Sequence, residues 1–307
     1  MISQETAPAV PPLPHISKLV IIGVGLIGGS FALALRQAGL VEHVLGIGRS
    51  PENMQRALAL GVIDAYTDDF AAALPGADFV LLAVPVRQTA HIMSNMAPYL
   101  DTNTIVSDVG STKQHVVLAA RAHLHAHLDR FIPAHPIAGT EFSGAQAADP
   151  NLFRNKPLIL TPLPENSPQA LAFVEALWQH CGAKISHLPV ERHDQILAAI
   201  SHLPHMLAFT LMQHIRTLGG NDPMALLRLA GTSLDDMTRI AGSSPEMWRD
   251  ICQDNRAALL AQIEAYQAQL SNLHQMLAQH DDQTLERLFA EARETRRHWL
   301  ETKNQSP

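Results

Sequence analysis

Over the first two thirds of the chain, short apolar runs of strand length alternate with stretches of helical periodicity. Lys18 to Ile22 predicts a buried parallel strand, and Leu26 to Gln37 predicts a helix that ends at Gly39. His43 to Gly48 predicts a second strand, followed by a helix opening at Ser50-Pro51, a capping residue before a proline. Further strands are expected at 78–85, 104–110, 156–162 and 183–189, with helices at 86–97, 112–127 and 168–181. This alternation specifies an α/β domain built on a doubly wound parallel sheet.

Beyond residue 189 the strand signal stops. "VERHDQILAAISHLPHMLAF" has helical spacing around Pro204, and a second helix opens with Ser244 as cap and Pro245 in its first turn. Trp248, Ile251, Cys252, Leu259, Ile263, Tyr266, Leu270, Leu273 and Leu277 follow its period. Unbroken, that helix would be roughly 50 Å long, more than one small domain covers, so a second copy is expected to pack on it as a homodimer. The expected division is a disordered, Pro-rich arm at 1–17, the α/β domain at 18–188 and an all-α domain at 189–307.

With 307 residues, 47% of them hydrophobic, the chain is long enough for two domains. A formal charge of −7 offers nucleic acid no basic field. No apolar run reaches the roughly 18 residues of a bilayer span, and the first residues lack the basic and apolar regions of a secretory signal. Cys181 and Cys252 fit no metal or redox spacing, as expected of a reducing compartment. The expected location is the cytoplasm, with no membrane contact.

Gly23-Val24-Gly25-Leu26-Ile27-Gly28 is G-x-G-x-x-G between a strand and a helix. Gly23 suits the tight turn, Gly25 lets backbone approach a pyrophosphate, and Gly28 lets strand and helix pack closely. The helix start, with Leu26 and Ile27, offers free N–H groups to the anion. The first domain is therefore expected to be Rossmann-like and to bind a dinucleotide. An NAD site carries Asp or Glu at the end of its second strand, where this chain has Gly48, then Arg49 and Ser50. A guanidinium can grip a 2′-phosphate, so NADP is expected over NAD. The alternative is a solvated Arg49, with NAD serving equally well.

Four further stretches carry polar residues that periodicity does not require. "SDVGSTK" (107–113) follows a strand, which puts Ser111 and Lys113 at the carboxyl edge of the sheet, where such folds bind ligands. "HPIAGTE" (135–141) reads as a loop at the same edge, since Pro136 biases His135 away from helix and Gly139 frees the backbone. "SHLPH" places His202 and His205 three residues apart on a helix distorted by Pro204, and "DDMTRIAGSSPEMW" carries Arg239 just before a helix boundary. "HLHAH" (123–127) offers alternating histidines, but helical residues two apart diverge by about 200°, and no metal is expected.

Taken in order, "GVGLIGGS", "SDVGSTK", "HPIAGTE", "SHLPH" and "DDMTRIAGSSPEMWRDI" resemble the prephenate dehydrogenase family from about residue 18 to 280. The resemblance implies a Rossmann domain joined to a helical dimerisation domain. The reaction it implies is oxidative decarboxylation of prephenate to 4-hydroxyphenylpyruvate, with hydride transfer to NAD(P)+, in tyrosine biosynthesis. It implies that His135 withdraws the substrate's hydroxyl proton, with Ser111 bonding the same hydroxyl or orienting the imidazole. Arg239 corresponds to a carboxylate-binding arginine, oriented by Asp236, and His205 to a substrate-pocket residue, with Thr140 and Glu141 as pocket wall. Taken singly, the same residues have plainer readings. His135 fits a turn, His202 and His205 fit helix packing, Arg239 fits a surface charge, Lys113 fits a helix start and Trp248 fits the core.

Arogenate, or both substrates as in a cyclohexadienyl dehydrogenase, is the alternative, with Asp194 a candidate for biasing the choice. Tyrosine, which shares the product's ring and side-chain skeleton, is expected to compete in the substrate pocket. β-Hydroxyacid dehydrogenases share the architecture but use a lysine in the helical domain, and none occurs between 189 and 300. A non-enzymatic NADP-binding redox sensor would not need His135, Ser111, His205 and Arg239 at one pocket.

Overall fold

The computed structural model describes residues 14–140 and 142–305. Chain contacts group the residues through Arg256 into one compact unit and those from Ala257 into a second. The first unit begins with β1 (Ile16–Ile22), α1 (Leu26–Gln37), β2 (Val41–Ile47), α2 (Pro51–Ala59), β3 (Ala65–Thr67) and α3 (Phe70–Ala73). It continues through β4 (Phe79–Leu82), α4 (Thr89–Met96), β5 (Ile105–Asp108), α5 (Gln114–His123) and β6 (Phe131–Ile132). These six strands make one parallel sheet in the order β3-β2-β1-β4-β5-β6. β1 starts at Ile16 rather than Lys18, because Ile16 is fully buried and pairs with Val41. Of the expected N-terminal arm, residues 1–13 lie outside the described residues.

Alternate residues of the central strands face two separate cores. Leu19 and Ile21 of β1 and Phe79 and Leu81 of β4 pack with Phe31, Leu35 and Trp178. Val20, Ile22, Val80 and Leu82 pack with Met93, Met96 and Val116. Both faces are covered, which is why these strands read as unbroken apolar runs. The strand order reverses between β1 and β4, and this switch point opens a crevice at their carboxyl ends.

Pro133 has no N–H to donate, and β6 ends before it. The chain then forms β7 (Ala134–Pro136), β8 (Pro157–Leu160), α6 (Pro168–His180) and β9 (Lys184–His187). β7 is antiparallel to β8, β8 is parallel to β9, and the three make a sheet of their own. The strands expected at 156–162 and 183–189 therefore do not extend the first sheet.

α7 (Val190–Leu197) passes through a π-helical turn at Ala198–His202 into α8 (Leu203–Leu218). Pro204 lacks an N–H, and in a regular α-helix its ring would clash with the carbonyl of Ile200; the wider turn that precedes it accommodates both. Val190–Leu218 is the one helical stretch among the described residues with the length and mean hydropathy, 1.3, of a membrane span. Yet it carries buried His193, Asp194 and His202, each hydrogen-bonded to protein groups.

Then follow α9 (Pro223–Leu227), α10 (Thr232–Thr238), a 3-10 turn at Arg239–Gly242 and α11 (Pro245–Asp254). The single long helix expected from Pro245 onward is broken at Asn255, whose backbone leaves helical geometry at φ −104° and ψ 31°. Its amide Nδ2 donates to the Asp194 carbonyl at 2.8 Å and to His202 Nδ1 at 3.1 Å, so the break serves a buried side chain. From Arg256 onward lie α12 (Arg256–Ala278) and α13 (Asp282–Gln305), joined by a turn with His280 at φ 56°. With 23 residues, α12 is about 34 Å long.

Candidate active site

The glycine loop follows β1 into α1. Gly23 has φ +99°, and a Cβ there would sit 2.2 Å from the Ala83 carbonyl oxygen. At Gly28 a Cβ would sit 2.5 Å from the Gly23 carbonyl oxygen, so the loop and α1 touch backbone to backbone. Gly25 differs, because a Cβ there meets nothing within 4 Å. The protein's own packing does not demand that glycine, and the open space fits close approach by a ligand. No side chain caps α1, which leaves the first-turn N–H groups, those of Leu26 and Ile27 included, to an anion. These residues fit a dinucleotide pyrophosphate.

At the end of β2, a Cβ on Gly48 would press on Met54 Sδ at 2.5 Å. Arg49 is exposed and makes no hydrogen bond or ion pair among the described residues. Ser50 is engaged structurally: its hydroxyl oxygen accepts from Asn53 N at 3.2 Å and caps α2. Asn53 Nδ2 donates to Val24 O at 2.7 Å, which ties α2 to the glycine loop.

The second polar cluster starts where β5 ends. Asp108 and Lys113 form a buried ion pair with Nζ 2.5 Å from Oδ2, and the same ammonium donates to Ala134 O at 2.6 Å. Asp108 also accepts from Gly110 N at 2.7 Å and from Ala134 N at 3.3 Å. Lys113 is thus no ordinary helix-start lysine. It staples β7 to the carboxyl edge of the first sheet, which brings His135 there as expected. However, His135 sits in β7, opposite Ile159, and is buried rather than held on an open loop.

His135 Nδ1 lies 2.9 Å from His193 Nε2, and His193 Nδ1 lies 2.7 Å from Asp194 Oδ1. Asp194 accepts from the backbone N–H groups of Lys113 at 2.8 Å and Gln114 at 2.9 Å. Burial pushes the His135 pKa well below its ordinary value, and the nearby His193, Lys113 and His202 add to this. Burial also lowers His193, against the pull of the Asp194 hydrogen bond. For Asp194 burial alone would raise the pKa, but the bonds from His193, Gln114 and Lys113 leave it below the usual carboxylate value.

His202 and His205 both meet Trp248. The His205 ring stacks on the indole at 3.7 Å and 24°, and the His202 ring stands edge-on at 5.9 Å and 76°. Trp248 is therefore buried, as a core residue would be, and also builds the histidine cluster. His205 Nδ1 bonds Ser201 O at 2.9 Å. Burial lowers its pKa, the Ser201 carbonyl opposes this, and the Arg239 charge adds to the lowering. Trp248 Nε1 and His202 Nε2 are buried without a hydrogen-bond partner among the described residues.

The remaining expected site residues are not tied to His135. Ser111 is half-buried, and among the described residues no hydrogen bond joins it to the imidazole. Arg239 is exposed and makes no ion pair with Asp236. Thr140 is exposed, with its hydroxyl accepting from Phe142 N at 3.2 Å, and Glu141 lies outside the described residues. A separate cavity of about 550 Å³, lined by Val117, Leu118, Leu163, Leu188 and Val190 among others, contains none of the expected site residues. No cluster of metal-ligating side chains occurs among the described residues.

Residues 31–187 match the family described as "Prephenate dehydrogenase, nucleotide-binding domain" and residues 189–291 match "Prephenate dehydrogenase, dimerization domain". This chain belongs to the prephenate dehydrogenase family. It is similar to a cyclohexadienyl dehydrogenase of Zymomonas mobilis, 36% identical over 91% of this chain and 94% of the relative. A prephenate dehydrogenase of Bacillus subtilis is 35% identical over 91% of this chain and 75% of its own length. The solved structure of an Aquifex aeolicus prephenate dehydrogenase, in complex with hydroxyphenyl propionate and NAD+, is 33% identical. It superposes with a TM-score of 0.85 over 92% of this chain and 98% of that one.

Within this family fold, His193 is the site residue that sequence reasoning missed. Its one local signal is the His-Asp pair in "VERHDQ", which resembles any polar helix start. Asp108 lies inside the "SDVGSTK" motif but is silent without Lys113 folded over it. Asn255 has no signal, since its neighbours continue a helical period.

The buried histidines also set an acid limit on stability. Burial brings His202 down from 6.5 to about 4, so between those values the unfolded chain binds a proton that the native protein refuses. Stability from this group is full above pH 6.5 and is lost as pH falls toward 4, by about 3 kcal/mol in all. His135 and His193 act with the same sign. Urea unfolding at pH 7 and at pH 4.5 should show the fall, and His202→Gln should flatten part of it. Equal unfolding free energies at the two pH values would contradict the buried neutral cluster.

Proposed function

We propose that this protein oxidises and decarboxylates prephenate to 4-hydroxyphenylpyruvate, in tyrosine biosynthesis. The observation that carries the reading is a buried, neutral imidazole, His135, held at the carboxyl edge of the sheet that bears the glycine loop. A nicotinamide dinucleotide, when bound, supplies the hydride acceptor. As the hydride leaves the hydroxyl-bearing carbon, His135 takes the hydroxyl proton. The bond to the ring carboxylate then breaks as carbon dioxide leaves. Its electron pair makes the ring aromatic, and the ring oxygen recovers a proton from the imidazolium.

In this proposal Ser111 bonds the same hydroxyl, and Arg239 holds a substrate carboxylate through its two-pronged guanidinium. His205 completes the pocket beside Trp248, with Thr140 and Glu141 at its wall. The grip on a 2′-phosphate is assigned to Arg49, whose exposed guanidinium has no protein partner among the described residues, so NADP is preferred over NAD. Leu218, Met224, Leu229, Leu270 and Leu277 are exposed apolar side chains, which supports a homodimer through the matched dimerisation region. The protein is proposed to act in the cytoplasm.

A second reading, use of arogenate as well, is favoured by the cyclohexadienyl dehydrogenase among the relatives. Initial rates with prephenate and arogenate, each with NAD and NADP, test all of this together. The fastest pairing should be prephenate with NADP, and Arg49→Ser should raise the NADP KM about tenfold while sparing NAD. Tyrosine should raise the apparent KM for prephenate without lowering the maximal rate. No turnover with any pairing would point to an NADP-binding sensor instead.

A further inference from the structure

We infer that His193 and Asp194 form a positioning relay that fixes the tautomer of His135, leaving its Nε2 bare to accept the substrate's hydroxyl proton. The identity of that hydroxyl rests on the prephenate reading above; the relay itself rests on hydrogen-bond geometry. At its far end, Asp194 Oδ1 and Oδ2 each face a backbone N–H at the start of α5, those of Lys113 at 2.8 Å and Gln114 at 2.9 Å. A backbone N–H can only donate, and those two bonds together with His193 hold the Asp194 pKa below the usual carboxylate value, so the group is ionised and both its oxygens are acceptors. Oδ1 also lies 2.7 Å from His193 Nδ1, and that ring nitrogen must therefore carry a proton.

A neutral His193 has one ring proton, now placed on Nδ1, so its Nε2 holds a lone pair. That Nε2 lies 2.9 Å from His135 Nδ1, which must then be the donor. The single proton of neutral His135 is thereby spent on Nδ1, and Nε2 is left as the acceptor. With Asp194 ionised and both rings neutral, each assignment follows from the one before it.

The relay works only while both rings are neutral. A protonated His193 would donate from Nε2 and reverse the last bond. The charged and titratable groups packed around the pair come from four elements. They are Asp108 on β5, Lys113 at the start of α5, Asp194 on α7 and His202 at the entry to α8. Burial and the Lys113 ammonium oppose protonation of His193, while Asp194 and Asp108 favour it, and the balance lies on the neutral side. The buried Lys113–Asp108 pair thus does more than staple β7. Its ammonium also lowers the pKa of both rings and so opposes a second proton on either.

The test uses the full chain with His193→Leu, which removes both ring nitrogens, and His193→Gln, whose amide can still donate to Asp194 and accept from His135. Rates with prephenate, NADPH affinity from its fluorescence, and 15N spectra of histidine-labelled protein are the readouts. His193→Leu should lower kcat about tenfold to a hundredfold, with KM and NADPH affinity within about twofold, and His193→Gln should recover part of the loss. The His135 signals, identified by their loss in His135→Asn, should show an Nδ1–H tautomer in wild type and in His193→Gln but not in His193→Leu. Wild-type kcat in His193→Leu, or an Nε2–H tautomer of His135 in the wild type, would overturn the relay. The wild-type spectrum decides even if His193→Leu does not fold. An Nδ1–H tautomer in a wild-type protein that does not turn over prephenate would keep the relay and discard the prephenate reading.

Discussion

Replacing His135 with asparagine should slow prephenate turnover by about 10² to 10⁴ while leaving NADPH affinity unchanged. Asparagine can still donate to His193 Nε2 from its amide, so the buried end of the contact survives. What it cannot do is accept a proton from the substrate, and only that step should fail. The site is buried in a strand whose backbone pairs with Ile159 on β8, so the variant should fold. The pH dependence of the wild-type enzyme sharpens the point. Because burial and neighbouring groups hold the His135 pKa well below 6.5, the imidazole is a free base throughout the neutral range. The acid limb of kcat/KM should therefore fall below pH 6.5, and it should vanish from the residual activity of the asparagine variant. Undiminished turnover in that variant would return His135 to the role of a buried strand histidine.

The largest effect on stability is expected from Lys113→Met, at about 3 to 5 kcal/mol. The ammonium is fully buried and satisfies Asp108 and the Ala134 carbonyl together. Burial pushes its pKa down, against the opposing pull of Asp108, which marks a costly site that only the pairing makes tolerable. Methionine fills a similar volume but leaves the Asp108 carboxylate buried with backbone N–H partners alone. A loss of that size should lower the melting temperature by about 10 °C in a domain of this length. Lys113→Met combined with Asp108→Leu should recover much of the loss, since a buried pair replaced by apolar groups is often close to neutral. Melting within a degree or so of the wild type in the single variant would mean that the pair contributes little. The double variant would still lose the link between β5 and β7, so its activity should not recover with its stability.

The strands of the first sheet are legible because each is buried on both faces, and their apolar runs carry that fact locally. The helix from Leu26 to Gln37 is legible to the residue, since glycines frame it at both ends. The glycine loop is legible too, because Gly23 and Gly28 meet backbone atoms of neighbouring segments that any such turn would bring there. The second sheet is not. β7, β8 and β9 are short, and whether they extend a sheet or start another depends on what Pro133 does to β6, a matter of pairing rather than of pattern.

The candidate site divides in the same way. His135, His205 and Arg239 stand out by residue type and by resemblance, and the Arg239 charge lowers the His205 pKa. His193 and Asn255 stay invisible, since the contacts that tie His193 to His135 and Asn255 to Asp194 and His202 span 58, 61 and 53 positions and no periodicity encodes them. Periodicity, glycine placement and capping are local, and they set the elements, the nucleotide loop and the change from sheet to helices. Hydrogen bonds between distant segments settle which histidine is buried, which nitrogen it offers and what a lysine in the first turn of a helix is for. Those contacts exist only once the chain has folded.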